Sequence, residues 1–160
     1  MSDQAYDVLP SSPRWTHIAL SVDDIDESIA FYTAYTPLEL IEKRQDDNGW
    51  GAWLGQEGHP DSPFFLVLAQ FLPEMDPWPN APKTVMGPFA HIGIELVSKE
   101  DVDERAAIAA EGGHLAHGPV QLPPPIGYVC FVTDPDGNTV EFSYGQGIFA
   151  KAQELWGDRR

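Results

Sequence analysis

Two stretches of the chain alternate between apolar and other residues, and both do so in the same register. In "WTHIALSV", Thr16, Ile18, Leu20 and Val22 share one face, and Trp15, His17, Ala19 and Ser21 share the other. In "FAHIGIEL", Ala90, Ile92, Ile94 and Leu96 stand against Phe89, His91, Gly93 and Glu95. A period of two predicts a half-buried strand in each place. Each strand is followed by an acidic, helix-like stretch, "DDIDESIAFYTAY" and then "SKEDVDERAAIAAEGG". Asp23 or Asp24 can cap the first helix and Ser98 the second. Thr36-Pro37 stops the first, and Gly112-Gly113 ends the second. After each helix the pattern returns to strands: "LELIEKR", "GWGAWLG" and "FFLVLAQ" in the first half, "HLAHGPV", "GYVCFVT" and "NTVEFSY" in the second. The unit is therefore βαβββ, present twice, which predicts an α+β fold.

The expected organisation is one domain over 1–160. Module one covers about 14–72, a Pro-rich linker 73–87, module two 88–145, and a C-terminal helix 146–157. If the first strands of the two units pair, one mixed sheet curves into a trough. The residues opposite the helices, His17 and His91 among them, then point into it.

Composition narrows the partners. The formal charge of −16 repels phosphate backbones and anionic lipid surfaces, so neither nucleic acid nor a membrane is expected as a partner. No apolar run approaches the roughly 20 residues that span a bilayer. "MSDQAYDVLPSSPR" lacks the basic start and apolar run of a signal peptide, so the expected location is the cytoplasm. A single cysteine, Cys130, excludes an internal disulfide and a Cys-rich zinc site; it reads as a small buried residue.

Candidate chemistry gathers at "DPDGNTVEFSY". Asp134-Pro135-Asp136-Gly137 is a turn, and the strand after it holds a carboxylate, Glu141, between Val140 and Phe142. Alternation sends Glu141 to the face away from the helices, the face of His17 and His91. Two neutral imidazoles and one carboxylate suit a divalent ion of iron, zinc, nickel or manganese. Tyr128 and His117 are further candidates, as general acid or base. Trp50, Trp53, Phe65 and Phe131 are candidates for lining a substrate pocket. His114 lies three residues from His117 and so on the opposite face of a strand. His59, in "GQEGHPDSP", reads as exposed.

"HIALSVDDIDESIAFY", "HIGIEL" and "DPDGNTVEF" together resemble the vicinal oxygen chelate superfamily. That superfamily includes glyoxalase I, extradiol dioxygenases, fosfomycin-resistance thiol transferases and bleomycin-resistance proteins. The resemblance covers roughly residues 14–145. It implies metal ligation by His17, His91 and Glu141, a small-molecule substrate and a homodimer. Where modules are exchanged between chains, His17 comes from one chain and His91 with Glu141 from the other.

The branches make different demands. Glyoxalase-type members use a fourth ligand, but the step that leads from His91 to Glu141 leads from His17 to Val67; nearby Gln70 faces the other way. Extradiol enzymes carry a tyrosine three residues before the Asp-Pro turn, where this chain has Phe131, and an upstream histidine, where it has "QLPPPIG". Fosfomycin enzymes carry a threonine where this chain has Ala19, and cationic side chains that "AHGPVQLPPPIGYVC" lacks. The expectation is a divalent-metal enzyme, first of all extradiol-dioxygenase-like on an aromatic or enediol substrate. A glyoxalase-like lyase or isomerase comes second, and a metal-free, bleomycin-resistance-like binding protein third.

Overall fold

A capping side chain sets each strand-to-helix junction. Strand β1 (His17–Ser21) leads to Asp24, whose carboxylate accepts the N–H bonds of Asp26 and Glu27 and starts helix α1 (Ile25–Tyr35). The Ile25 N–H donates to Gln70 Oε1 (2.9 Å), so Gln70 caps the same helix from the neighbouring sheet. At the far end the Thr36 hydroxyl donates to the Tyr32 carbonyl before Pro37. The second unit repeats the device. Strand β5 (Ile92–Glu95) leads to Ser98, whose Oγ accepts from the Asp101 N–H at the start of helix α2 (Lys99–Glu111). The helix ends at Gly112.

The computed structural model describes residues 13, 16–57, 64–83, 85–87 and 89–157. The other strands of the first unit are β2 (Glu39–Asp46), β3 (Gly49–Gly55) and β4 (Phe65–Phe71), followed by a short 3-10 turn at Pro73–Met75. The second unit continues with β6 (Leu115–Leu122), β7 (Gly127–Thr133) and β8 (Thr139–Tyr144), and helix α3 (Ile148–Trp156) follows. The strand orders are β1-β4-β3-β2 and β5-β8-β7-β6. In each sheet the first strand runs parallel to the last, and the other pairs are antiparallel.

This is the expected α+β class, with one correction. The two first strands do not pair with each other. Each is satisfied by the fourth strand of its own unit, so there are two four-stranded sheets and not one continuous sheet.

The helix-covered sides of the units share one core. Ile25, Phe31, Tyr32, Leu54 and Leu68 meet Val102, Cys130 and Phe142 there. The Asp-Pro-Asp-Gly turn locks the units together. Asp134 is buried; its Oδ2 accepts from the Tyr32 hydroxyl of α1 (2.8 Å), and its Oδ1 from the N–H groups of Asp136 and Asn138. Burial, with the Asp134 charge and hydrogen bond adding to it, pushes the Tyr32 phenol far above its ordinary range. Asp136 reaches across to accept from the Asp23 N–H and from Lys83 Nζ, each at 2.9 Å. Gly137 turns the chain with φ +90°, which favours glycine. No helix among the described residues is long and apolar enough to cross a membrane.

Candidate metal centre

Direct pairing places side chains on a common face, and a row crosses the open face of the second sheet. His117 on β6 pairs with Phe131 on β7, Phe131 with Glu141 on β8, and Glu141 with Gly93 on β5. His91, immediately before β5, leans over this row, its ring 6.0 Å from that of Phe131; the His117 ring is 6.3 Å from Phe131 on the other side.

His91 Nδ1 lies 2.6 Å from the Phe89 carbonyl oxygen. A carbonyl only accepts, so Nδ1 carries a proton, and in the neutral ring Nε2 carries the lone pair. That lone pair faces Glu141 Oε2 at 3.6 Å. This is the tautomer a metal-binding imidazole needs, with its other nitrogen held by a backbone carbonyl. Two donors each about 2.0–2.2 Å from an ion, in adjacent tetrahedral or octahedral positions, stand about 3–3.6 Å apart. The pair fits a divalent ion.

Glu141 is buried, and its other oxygen, Oε1, accepts from Gln146 Nε2 at 2.6 Å. The chain turns back at Gly145 (φ +76°), and the Gln146 N–H donates to Glu95 Oε1 (3.0 Å). Gln146 thus ties two carboxylates of the open face. Sequence reasoning missed it, because a lone glutamine beyond the last strand carries no periodic signal.

The first sheet has a matching open face. His17 on β1 pairs with Phe65 on β4, and Ala19 with Val67, which pairs in turn with Trp53 on β3. Val67 therefore stands to Ala19 as Glu141 stands to Gly93. His17 is exposed, with Nδ1 2.9 Å from Thr16 Oγ1. Trp53 and Phe65 are neighbours, with ring centroids 6.4 Å apart, and the Arg44 guanidinium lies 5.5 Å above Trp53. Among the described residues no three His, Cys, Asp or Glu side chains form a metal cluster within one chain. The structure brings His91 and Glu141 together, and leaves His17 on the other sheet.

Two candidates point elsewhere. Tyr128 pairs with Tyr144 on the helix-covered face and donates to Asp103 Oδ1 of α2 (2.7 Å). That hydrogen bond, with smaller contributions from burial and charge, raises its phenol pKa, the wrong direction for a general base. Trp50 pairs with Gln70 and packs against the core, so it lines no open face. His114 packs on Phe31 and Tyr35, with Nδ1 2.9 Å from the Thr133 carbonyl oxygen. Burial pushes the Cys130 thiol up to about 11, which makes it unreactive. His59 lies outside the described residues.

The comparisons with known proteins agree with this fold. The family model of the Glyoxalase/Bleomycin resistance protein/Dioxygenase superfamily matches residues 14–142. An uncharacterized protein of Pseudomonas aeruginosa is 34% identical over 144 residues, covering 90% of this chain and 97% of that protein. A putative lactoylglutathione lyase of Brassica oleracea var. gemmifera is 28% identical over 131 residues; the match covers 80% of this chain and 43% of that protein. Two solved structures share the fold at 21% identity and a TM-score of 0.59. One is TnmS3, an antibiotic-binding protein from Streptomyces sp. CB03234, covering 85% of this chain and 98% of that one. The other is the trypanothione-dependent glyoxalase I of Leishmania major, covering 92% and 98%. With two βαβββ units, and with the family model covering most of its length, the chain belongs to the glyoxalase/bleomycin resistance protein/dioxygenase superfamily, the vicinal oxygen chelate fold.

Proposed function

We propose that the protein is a divalent-metal-dependent vicinal oxygen chelate enzyme acting on a small molecule. The observation that carries the reading is the His91–Glu141 pair, with its fixed tautomer and its separation of 3.6 Å. His91 Nε2 and Glu141 Oε2 would hold one ion, and His17 of a second copy would complete the set. A homodimer built in this way apposes the open face of one copy's first sheet to the open face of the other's second sheet. Held there, a divalent ion would supply Lewis-acid polarisation to two neighbouring substrate oxygens. Gln146 fixes Glu141 Oε1, so that Oε2 is the oxygen presented to ion and substrate. His117, one strand beyond Phe131, is placed to exchange a proton with a substrate lying over that ring.

Between the two chemistries open to this donor set, proton transfer of the lyase or isomerase kind leads. In extradiol dioxygenase-like members a tyrosine stands three residues before the Asp-Pro turn; here Phe131 has no hydroxyl at that place, Tyr128 is spent on Asp103, and proton transfer falls to His117. The curated relatives include lactoylglutathione lyases. The dioxygenase-like reading stands second, favoured by one observation: Val67 occupies the place of a fourth ligand, which leaves a 2-His-1-carboxylate set.

Metal analysis of protein purified without chelator or affinity-column metal tests the proposal. The expected content is about one ion per chain, lost in His17→Ala, His91→Ala and Glu141→Ala. Turnover with zinc or nickel in the absence of oxygen marks the lyase or isomerase. Oxygen uptake with iron and a catechol, absent with zinc, marks the dioxygenase. A wild-type protein that takes up none of the four metals leaves the metal-free binding protein; TnmS3, of the same fold, is an antibiotic-binding protein.

A further inference from the structure

A cavity of about 400 Å³ lies at the seam between the two units; it borders the row that carries Glu141 at Gly93, but His17, His91 and Glu141 do not line it. Ile18, Leu38, Leu66, Ile92 and Ile94 wall it with apolar side chains. All but Leu38 come from the helix-covered faces of their strands, so the cavity enters the shared core. Gly93 and Glu95 line it from the open face of the second sheet. The volume falls in the range of small-molecule pockets, about 300–1,000 Å³, and an apolar enclosure with a few fixed polar groups is their usual composition.

The chemistry of the polar end is specific. Glu95 is half-buried, and the Gln146 N–H pins its Oε1 at 3.0 Å. Among the described residues no lysine, arginine or histidine forms an ion pair with it. A carboxylate held at the rim of an apolar cavity, in a chain of formal charge −16, repels anions. An ammonium group offers it a charge-assisted hydrogen bond.

We propose that this cavity is a binding site for a small hydrophobic monocation, an aromatic or branched aliphatic primary amine. Its ammonium group sits on Glu95, and its apolar body lies among the Ile18, Leu66 and Ile94 side chains. The site uses none of His17, His91 and Glu141 as a contact and needs no metal, although Gln146 links Glu95 to Glu141.

Three isosteric probes test it by calorimetric or NMR titration in the presence of a chelator: phenethylamine, 2-phenylethanol and phenylacetate. The amine is expected to bind up to about fivefold more tightly than the alcohol, and phenylacetate most weakly. Glu95→Gln keeps an oxygen for the Gln146 N–H and removes the charge; it should erase the preference for the amine and leave the alcohol's affinity unchanged. A side chain at Gly93 starts in open space, with nothing within 4 Å of its Cβ, so Gly93→Leu should fold and weaken all three probes. No binding of phenethylamine at millimolar concentration overturns the proposal. So does an amine preference that survives Glu95→Gln, or unchanged binding by folded Gly93→Leu protein. If Gly93→Leu proves unfolded by circular dichroism, the Glu95→Gln comparison decides alone.

Discussion

Replacing Glu141 by glutamine separates a ligand from a structural residue, because the two roles predict opposite changes. The side chain is 6% exposed, its Oε1 accepts one hydrogen bond, and its Oε2 lies 3.6 Å from His91 Nε2. Without metal, such a carboxylate carries an incompletely repaid desolvation cost. Glu141→Gln retains the acceptor for Gln146 and removes the charge, so the metal-free variant should be as stable as wild type or more stable, by up to about 1–3 kcal/mol. The response to metal should go the other way. At a free metal concentration of 100 times Kd, binding to the native state adds about 2.7 kcal/mol. For a chain of this size each kcal/mol moves Tm by about 2–4 °C, so zinc or nickel should raise the wild-type Tm by about 5–11 °C and leave Glu141→Gln nearly unmoved. Thermal melts with and without metal, on protein stripped by chelator, read both quantities. An equal metal-induced shift in the variant would refute ligation by Glu141. A metal-free variant destabilised by more than about 2 kcal/mol would show that the carboxylate serves the fold.

Tyr32→Phe should cost about 1.5–3 kcal/mol in urea denaturation, because it removes a buried hydrogen bond to a carboxylate; Asn138, which still donates to the same oxygen, favours the lower end. A loss below about 0.5 kcal/mol would mean that the turn does not depend on this tie. Cys130, fully buried with its thiol raised to about 11, should resist a thiol reagent at pH 8 and react only as urea unfolds the protein. Fast labelling of the native state would contradict the burial of β7. Mixing His17→Ala with Glu141→Ala protein under subunit exchange should restore about one quarter of the metal sites, since a mixed dimer holds one intact site and one doubly damaged site. Metal content no higher than in either variant alone counts against a site shared between copies.

How much of this was legible in the sequence depended on periodicity. The repeated strands and their caps could be read because alternation and capping are local. Asp24 and Ser98 sit where a helix needs them, whatever the rest of the chain does. The face of Tyr128 was also there to be read: three residues from Phe131 within one strand, it has to point the other way. "GWGAWLG" was different. Glycine and tryptophan alternate in it with no polar residue to mark the outside, and only pairing with β4 fixes Trp53 outward and Trp50 inward. The cross-links from Asp136 to Asp23 and Lys83 join residues far apart in sequence, and Gln146 acts alone after a glycine turn. No local pattern signals either.

The repeat also explains why the two units are not interchangeable. They share strand order and register, so Val67 and Glu141 occupy equivalent places, and so do Ala19 and Gly93. A buried carboxylate costs free energy unless something binds it, whereas a valine does not. The second unit accepts that cost at Glu141 and offsets part of it with Gln146; the first unit presents Val67, Phe65 and Trp53 on its open face, with His17 at the head of β1. Under the proposed function this asymmetry divides the work. The second unit holds charge and moves protons. The first contributes one imidazole and an apolar wall, so the part of the substrate that lies against it has to be apolar too.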